Sequence, residues 1–267
     1  MILAYRVPRV RLETVLTFVT VIVLLAAWFV ITAEGWVTDV LVPSPKKVWD
    51  SFLVILRDGY KDHSLAAHLG DSLYRILGSF ALVVVTAIPL GLWSGTNSKV
   101  RAIVEPLVEF YRPLPPLAYY TLLVLWLGIE DTSKMALLYL AAFAPVYVAC
   151  ATAVGKVRPS WIQCARTLGA NRRQVFFRVI FRACLPDIFT GLRTALGVSY
   201  TTLVAAEMVA AVSGIGWMVL DASRFLRSDV IFVGIILMGI TGILLDQGVR
   251  VIERRVLPWR ETLPKAS

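Results

Sequence analysis

Charge is what this sequence has little of: Asp, Glu, Lys and Arg make up 17% of its 267 residues, while hydrophobic residues reach 58%. Ordinary soluble domains carry roughly 25% charged residues, so the balance excludes a soluble globular enzyme. It also excludes a disordered chain, which needs low hydrophobicity. The net charge of +9 is spread through a mostly apolar chain, so it reads as membrane orientation rather than as a nucleic-acid surface. Histidine occurs twice, as His63 and His68; neither has a cysteine or a carboxylate pair at metal-site spacing, so no bound metal is expected. The three cysteines, Cys150, Cys164 and Cys184, form no CxxC pair and are expected as free thiols. The phosphate-binding pattern GxxxxGK[ST] is missing: at Gly155-Lys156, Cys150 stands for its first glycine and Val157 for its Ser/Thr. There is no nucleophile elbow, and Glu130-Asp131 reads as solvated loop charge. Neither catalysis nor a cofactor is expected in this chain itself.

What is present is apolar sequence in lengths that suit a bilayer. A membrane helix needs about 20 apolar residues, and six stretches qualify, at about 14–33, 73–93, 117–129, 135–154, 188–212 and 230–248. The first follows Arg6, Arg9 and Arg11 and is too long for a signal-peptide core, so it is expected as a retained helix. The third is short, because Pro113, Pro115 and Pro116 forbid regular helix before it, which predicts a bent approach. Outside the spans, 18 Lys and Arg fall on the side of the N-terminus and seven on the other. Cytoplasmic loops carry the positive excess, so both termini are expected in the cytoplasm, in one all-α, six-span membrane domain covering residues 1–267. In the outer segment 34–72, Pro43-Ser44-Pro45 followed by Lys46 to Arg57 predicts a surface helix burying Val48, Phe52 and Ile55.

The segment 157–186 is the longest cytoplasmic connection and regains helical pattern. Pro159-Ser160 opens a short helix with Trp161, Ala165 and Leu168 on one face; Gly169 supplies a left-handed stop, with the small Ala170 behind it. A second helix is expected from Asn171, with Val175, Phe176, Val179 and Ile180 opposite Arg172, Arg173, Arg178 and Arg182. Anionic lipid explains the second helix. The first, weakly charged and sharply stopped, suits docking into a groove of another protein.

Gln163-Cys164-Ala165, then Gly169 after three residues, then Leu185-Pro186 resembles the cytoplasmic EAA signature of bacterial ABC importer permeases. Gln163 stands where that family usually has Glu, Cys164 where it has the first Ala, and Leu185-Pro186 lies further on than usual. Phe110 to Tyr119, Trp126-Leu127-Gly128-Ile129, Phe143-Ala144-Pro145, Thr190-Gly191-Leu192-Arg193 and Leu203 to Glu207 extend the likeness to the nitrate/sulfonate/taurine permease group, closest to its taurine members. The resemblance spans roughly residues 40–260. It implies a type I importer permease in the bacterial inner membrane, paired with a second permease copy, by default a homodimer. Two ATP-binding subunits carrying ATP and Mg would dock on Trp161, Gln163, Cys164, Ala165, Leu168, Gly169 and Ala170, and a periplasmic binding protein would deliver the substrate. Nitrate, bicarbonate and other alkyl or aromatic sulfonates are the alternative substrates. A carrier driven by an ion gradient is the alternative of another class; the lack of an inverted repeat and the docking loop count against it.

Three charged residues are candidates for the pathway or its gate. Glu207 lies deep in the fifth span, where an ion costs about 2.5–3.5 kcal/mol; Arg193, fourteen residues back, is about 21 Å away along the helix, so any partner must come from elsewhere. Glu207 reads either as a gate at the periplasmic end or as a structural hydrogen-bonding group. Arg193 reads as a cation reaching the interface, and Arg112 as a support for the proline-bent backbone or an attractor for a leaving anion. Asp246 is expected in solvent or paired with Arg250. Gly191, Ala195 and Ser199 allow close helix approach, inside the subunit or at a dimer seam. Gly214 and Gly216 form a turn or a hinge, and Trp126, Trp217 and Trp259 mark interfacial belts.

Overall fold

The computed structural model describes residues 9–258; Arg6 and Trp259 lie outside the described residues. Helix α1 spans Arg9–Ala33 and α2 spans Pro45–Asp58. The start of α2 follows from its sequence: Ser44 Oγ accepts from the Lys47 N–H, and Pro45 occupies the first helical position. Val48 and Ile55 are buried as expected and Phe52 is half-buried. Helix α3 runs from Leu65 to Thr96, α4 from Ser98 to Tyr111, α5 from Pro116 to Leu127 and α6 from Asp131 to Gly155. Then come α7 (Pro159–Thr167), α8 (Arg172–Val175), a π-helical turn (Phe176–Ile180), α9 (Phe181–Ala210), α10 (Ile215–Arg224) and α11 (Ser228–Val256).

The all-helical expectation holds, and each of the six apolar stretches falls on a helix. Among the described residues, four helices are long and apolar enough to cross a bilayer: α1, α3, α6 and α11. The continuous helix Arg172–Ala210 passes together with α10 as a pair bent by 47°. At 12 residues, α5 rises only about 18 Å, for the reason read from its prolines: Pro116 is its first residue and Gly128 stops it. Two helices begin well before the stretches they carry. The helix carrying the second begins at Leu65, where Ser64 Oγ accepts from the Ala67 N–H at 3.2 Å. The helix carrying the fifth begins before 188. The basic helix from Asn171 flows into it through the π turn, a one-residue widening that keeps the backbone bonded.

Helices α3, α6 and α9 form the core, around Val83, Ala87, Tyr147, Cys150, Ile188 and Leu192. The small-residue stripe is buried inside the subunit: a Cβ on Gly191 would come within 2.3 Å of Ala149 Cβ on α6, and Ala195 and Ser199 are fully covered. The molecule has two ends. At one, α2, α10 and the starts of α3 and α11 cluster around Tyr60, Met218 and Val230; Trp28 of α1 stacks on Phe232 of α11 there, with ring centroids 5.6 Å apart. At the other lie the end of α6, α7 and the start of the long helix containing α9. All three cysteines are free, Cys150 and Cys184 buried and Cys164 exposed.

Candidate functional site

The α7 end is built from local signals. Pro159 opens the helix and none of its residues is buried. It stops in a Schellman arrangement: the Ala170 N–H donates to Ala165 O at 3.0 Å and the Gly169 N–H to Arg166 O at 2.9 Å, with Gly169 at φ +81°. Asn171 then opens the next helix with a capping box, its side chain accepting from the Gln174 N–H while Gln174 Oε1 accepts from the Asn171 N–H. Trp161, Cys164, Ala165 and Leu168 form one wall of a groove of about 590 Å³, and Arg178, Val179, Arg182, Ala183 and Pro186 form the other. Leu168 is 82% exposed and Trp161 50%. Gln163 is exposed, and its carbonyl accepts from Thr167 Oγ1. An apolar helix face bounded by arginines and left uncovered is suited to receive a partner.

The opposite end is built from residues far apart in sequence. Glu207 is 1% exposed, and both its carboxylate oxygens have partners. Oε1 accepts from Ser72 Oγ at 2.7 Å and from Arg75 Nη1 at 2.8 Å, and Oε2 accepts from the Gly216 N–H at 2.9 Å. Arg75 also donates from Nε to Asp131 Oδ1 at 2.7 Å, from Nη1 to Ser213 O and from Nη2 to Ser213 Oγ. One guanidinium thus ties α3, the start of α6, the end of α9 and the 211–214 turn together. The glycines complete the clamp. A Cβ on Gly214, at φ +118°, would fall 2.4 Å from the Glu207 carboxyl carbon, and one on Gly216 would fall 2.7 Å from Val204 O. Both glycines therefore let the turn wrap a carboxylate.

Around this clamp the turn is held from outside. The Gly214 N–H donates to His68 Nδ1 at 3.1 Å, the Ile215 N–H donates to Ser72 Oγ, and His68 Nε2 lies 3.3 Å from Tyr60 O. Those partners require a neutral His68 ring with its proton on Nε2. Tyr60 donates to Asp221 Oδ2 at 2.9 Å. Burial, followed by the hydrogen bond and charge of Asp221, pushes the Tyr60 phenol up to about 12, so it stays a donor.

The three candidate charges do not form one site. Glu207 is inside the clamp. Arg193 donates to Asp246 Oδ1 at 2.9 Å, and Asp246 also accepts from Arg250 Nε at 2.7 Å, so Arg193 is paired with α11. Arg112 is exposed at the end of α4, beside the prolines. Arg75 is the residue that the sequence reading missed. The cap at Ser64 puts Arg75 three turns inside α3.

A family model described as binding-protein-dependent transport system inner membrane component matches residues 87–258. The chain is 42% identical to the taurine transport system permease protein TauC of Escherichia coli strain K12, over 96% of this chain and 94% of that one. It is 33% identical to the putative aliphatic sulfonates transport permease protein SsuC of Bacillus subtilis strain 168, over 90% and 86%. A solved structure of the MetNI methionine ABC transporter in inward-facing conformations matches in fold, with TM-score 0.60 and 16% identity over 72% of this chain and 95% of that one.

Proposed function

The chain belongs to the family of binding-protein-dependent transport system inner membrane components, and from that premise we propose that it carries taurine inward by ATP-driven alternating access. It is an ABC importer permease of the taurine, sulfonate and nitrate group, a translocation subunit of the membrane and not an enzyme. Its system includes ATP-binding subunits and a substrate-binding protein. The observation that carries the substrate is the 42% identity to TauC over nearly the whole chain. Other alkyl or aromatic sulfonates, nitrate and bicarbonate are the substrates against which taurine is to be tested.

In the proposed cycle two copies of this chain form the pathway, each with six spans and with its termini in the cytoplasm. The course of α11 supports this placement of its end, since it leads from Phe232, packed at the Tyr60–Met218 cluster, to Leu257, which shares a cluster with Val157 and Ile162 beside and on α7. The ATP-binding subunits, holding ATP and Mg, dock on α7 through Trp161, Gln163, Cys164, Ala165, Leu168, Gly169 and Ala170. ATP binding draws the two α7 helices together and opens the pathway outward; hydrolysis returns it to the cytoplasm. Such a switch works only through contacts that differ between its two states. Glu207 acts as a structural clamp on the outer gate: its carboxylate is committed to Ser72, Arg75 and Gly216, so it holds the α9–α10 bend and leaves the anion to other groups. Arg193 and Arg112 serve the inner half of the pathway.

Proteoliposomes containing this chain, the ATP-binding subunit and the binding protein test the reading. Taurine uptake is expected only with ATP and all three components present. Uptake by this chain alone, driven by a proton or sodium gradient, would overturn it.

A further inference from the structure

Apart from glycines, two described residues have left-handed backbone, Lys61 at φ +50° and Leu226 at φ +52°. They belong to one structure. Lys61 Nζ lies 4.7 Å from the centroid of the Phe225 ring and 3.0 Å from Asp221 Oδ2. Leu226 occupies the left-handed position of a Schellman stop at the end of α10, where the Arg227 N–H donates to Ala222 O at 3.0 Å and the Leu226 N–H to Ser223 O at 3.1 Å. That position favours glycine. A leucine here adds strain to the backbone and gains no burial, since Leu226 is 72% exposed and Phe225 beside it 62%. Strain of this kind persists where surrounding structure holds it, and it gathers at functional positions. An apolar pair held out of the protein surface in this way is shaped for contact.

The surroundings give the partner its chemistry. Arg224 and Arg227 flank the pair, both exposed, Arg227 also donating to Asp229 Oδ2 at 3.0 Å, with Lys61 packed behind the ring. The complement is an apolar socket rimmed by carboxylates. The knuckle projects at the end opposite α7, on the face that the proposed function turns toward the periplasm. A linked path also runs inward from it: Lys61 to Asp221, Asp221 to the Tyr60 hydroxyl at 2.9 Å, Tyr60 O to His68 Nε2 at 3.3 Å, and His68 Nδ1 to the Gly214 N–H at 3.1 Å. Gly214 lies directly against the Glu207 carboxylate. Tyr60, His68 and Asp221 are all buried, so water does not compete along the path.

We propose that the Phe225–Leu226 knuckle is where the substrate-binding protein seats, and that Asp221, Tyr60 and His68 carry its seating to the Gly214–Glu207 clamp. The proposal rests on the importer reading and assigns that partner a place on the chain. A surface anchor and an interior clamp joined by buried hydrogen bonds form a device that docking can bias, provided that the joined elements have two arrangements.

The test is ATP hydrolysis by the assembled permease–ATPase complex in nanodiscs, titrated with taurine-loaded binding protein and read as a ratio to each variant's own unstimulated rate. Leu226→Asp is expected to raise the concentration for half-maximal stimulation at least tenfold. Leu226→Gly is expected to weaken docking in the same direction while the melting temperature holds or rises, because glycine accepts this φ; a purely structural leucine would not separate the two. Tyr60→Phe, which keeps the ring and removes the hydroxyl, is expected to leave half-saturation within twofold and to cut maximal stimulation at least threefold. Unchanged titrations for both Leu226 variants would overturn the docking point while leaving the importer reading intact. An unchanged maximum for Tyr60→Phe would overturn the path. Absence of stimulation in the unsubstituted complex would overturn the importer reading and the knuckle with it.

Discussion

Helices α7 and α10 end in the same pair of backbone hydrogen bonds, but the left-handed position holds Gly169 in one and Leu226 in the other. At α7 the stop is chosen by the residue itself. No residue of α7 is buried, and a Cβ on Gly169 would meet nothing within 4 Å. At α10 the stop is imposed from outside: Asp221 one turn earlier is held by Tyr60 and Lys61, and the other end of the helix is pinned by Glu207, Ser72 and His68. One end of the molecule is therefore organised by neighbours in sequence and left open for a partner. The other is organised by residues more than a hundred positions apart and closed upon itself.

That contrast can be broken most forcefully at Arg75. Arg75→Ala removes the cation between Glu207 and Asp131 and is expected to cost about 3–5 kcal/mol, because a buried carboxylate is left without its partner. The check is thermal unfolding in detergent, where a loss below about 1 kcal/mol would mean that the clamp behaves like a surface ion pair. Gly214→Ala comes next. Its Cβ would strike the Glu207 carboxyl at 2.4 Å at a φ of +118°, so a loss of about 1–3 kcal/mol is expected, with reduced binding-protein coupling in the ATPase assay. Gly169→Ala carries the backbone penalty without the clash, about 1–2 kcal/mol. That loss should appear as fraying of α7 by hydrogen exchange, with weakened retention of the ATP-binding subunit and no change at Glu207. Gln163→Glu, which restores the residue usual at this place in the family signature, should move stability by less than about 0.5 kcal/mol and leave uptake coupled. A large change there would show that the exposed face of α7 already has an intramolecular partner.

The same contrast explains what could be read in advance. The α7 stop, the helix start at Asn171 and the surface helix after Ser44 were legible because each rests on residues within four positions of one another. The apolar stretches were legible because a bilayer demands length. The clamp was not. Glu207 signalled itself by its depth, but its partner was hidden near the start of a stretch counted from 73; reading Ser64 as a cap before Leu65 would have placed Arg75 inside the membrane helix and opposite an unpaired carboxylate. The joining of the basic helix to the fifth stretch was hidden by Pro186, which ordinarily ends a helix but here lies within α9, just after a π turn. The Asp246–Arg250 pair was legible at spacing four, and the addition of Arg193 to it required the packing of α9 on α11.

The central claim, an α7 helix that faces the cytoplasm and receives the ATP-binding subunit, can be tested at a residue the protein already has. Cys164 is exposed on α7 while Cys150 and Cys184 are buried, so a membrane-impermeant maleimide reports on this one position. Labelling is expected in inside-out vesicles and not in right-side-out ones, and it should slow at least tenfold when the ATP-binding subunit is added. Labelling from the outer face, or a rate indifferent to that subunit, would contradict the account.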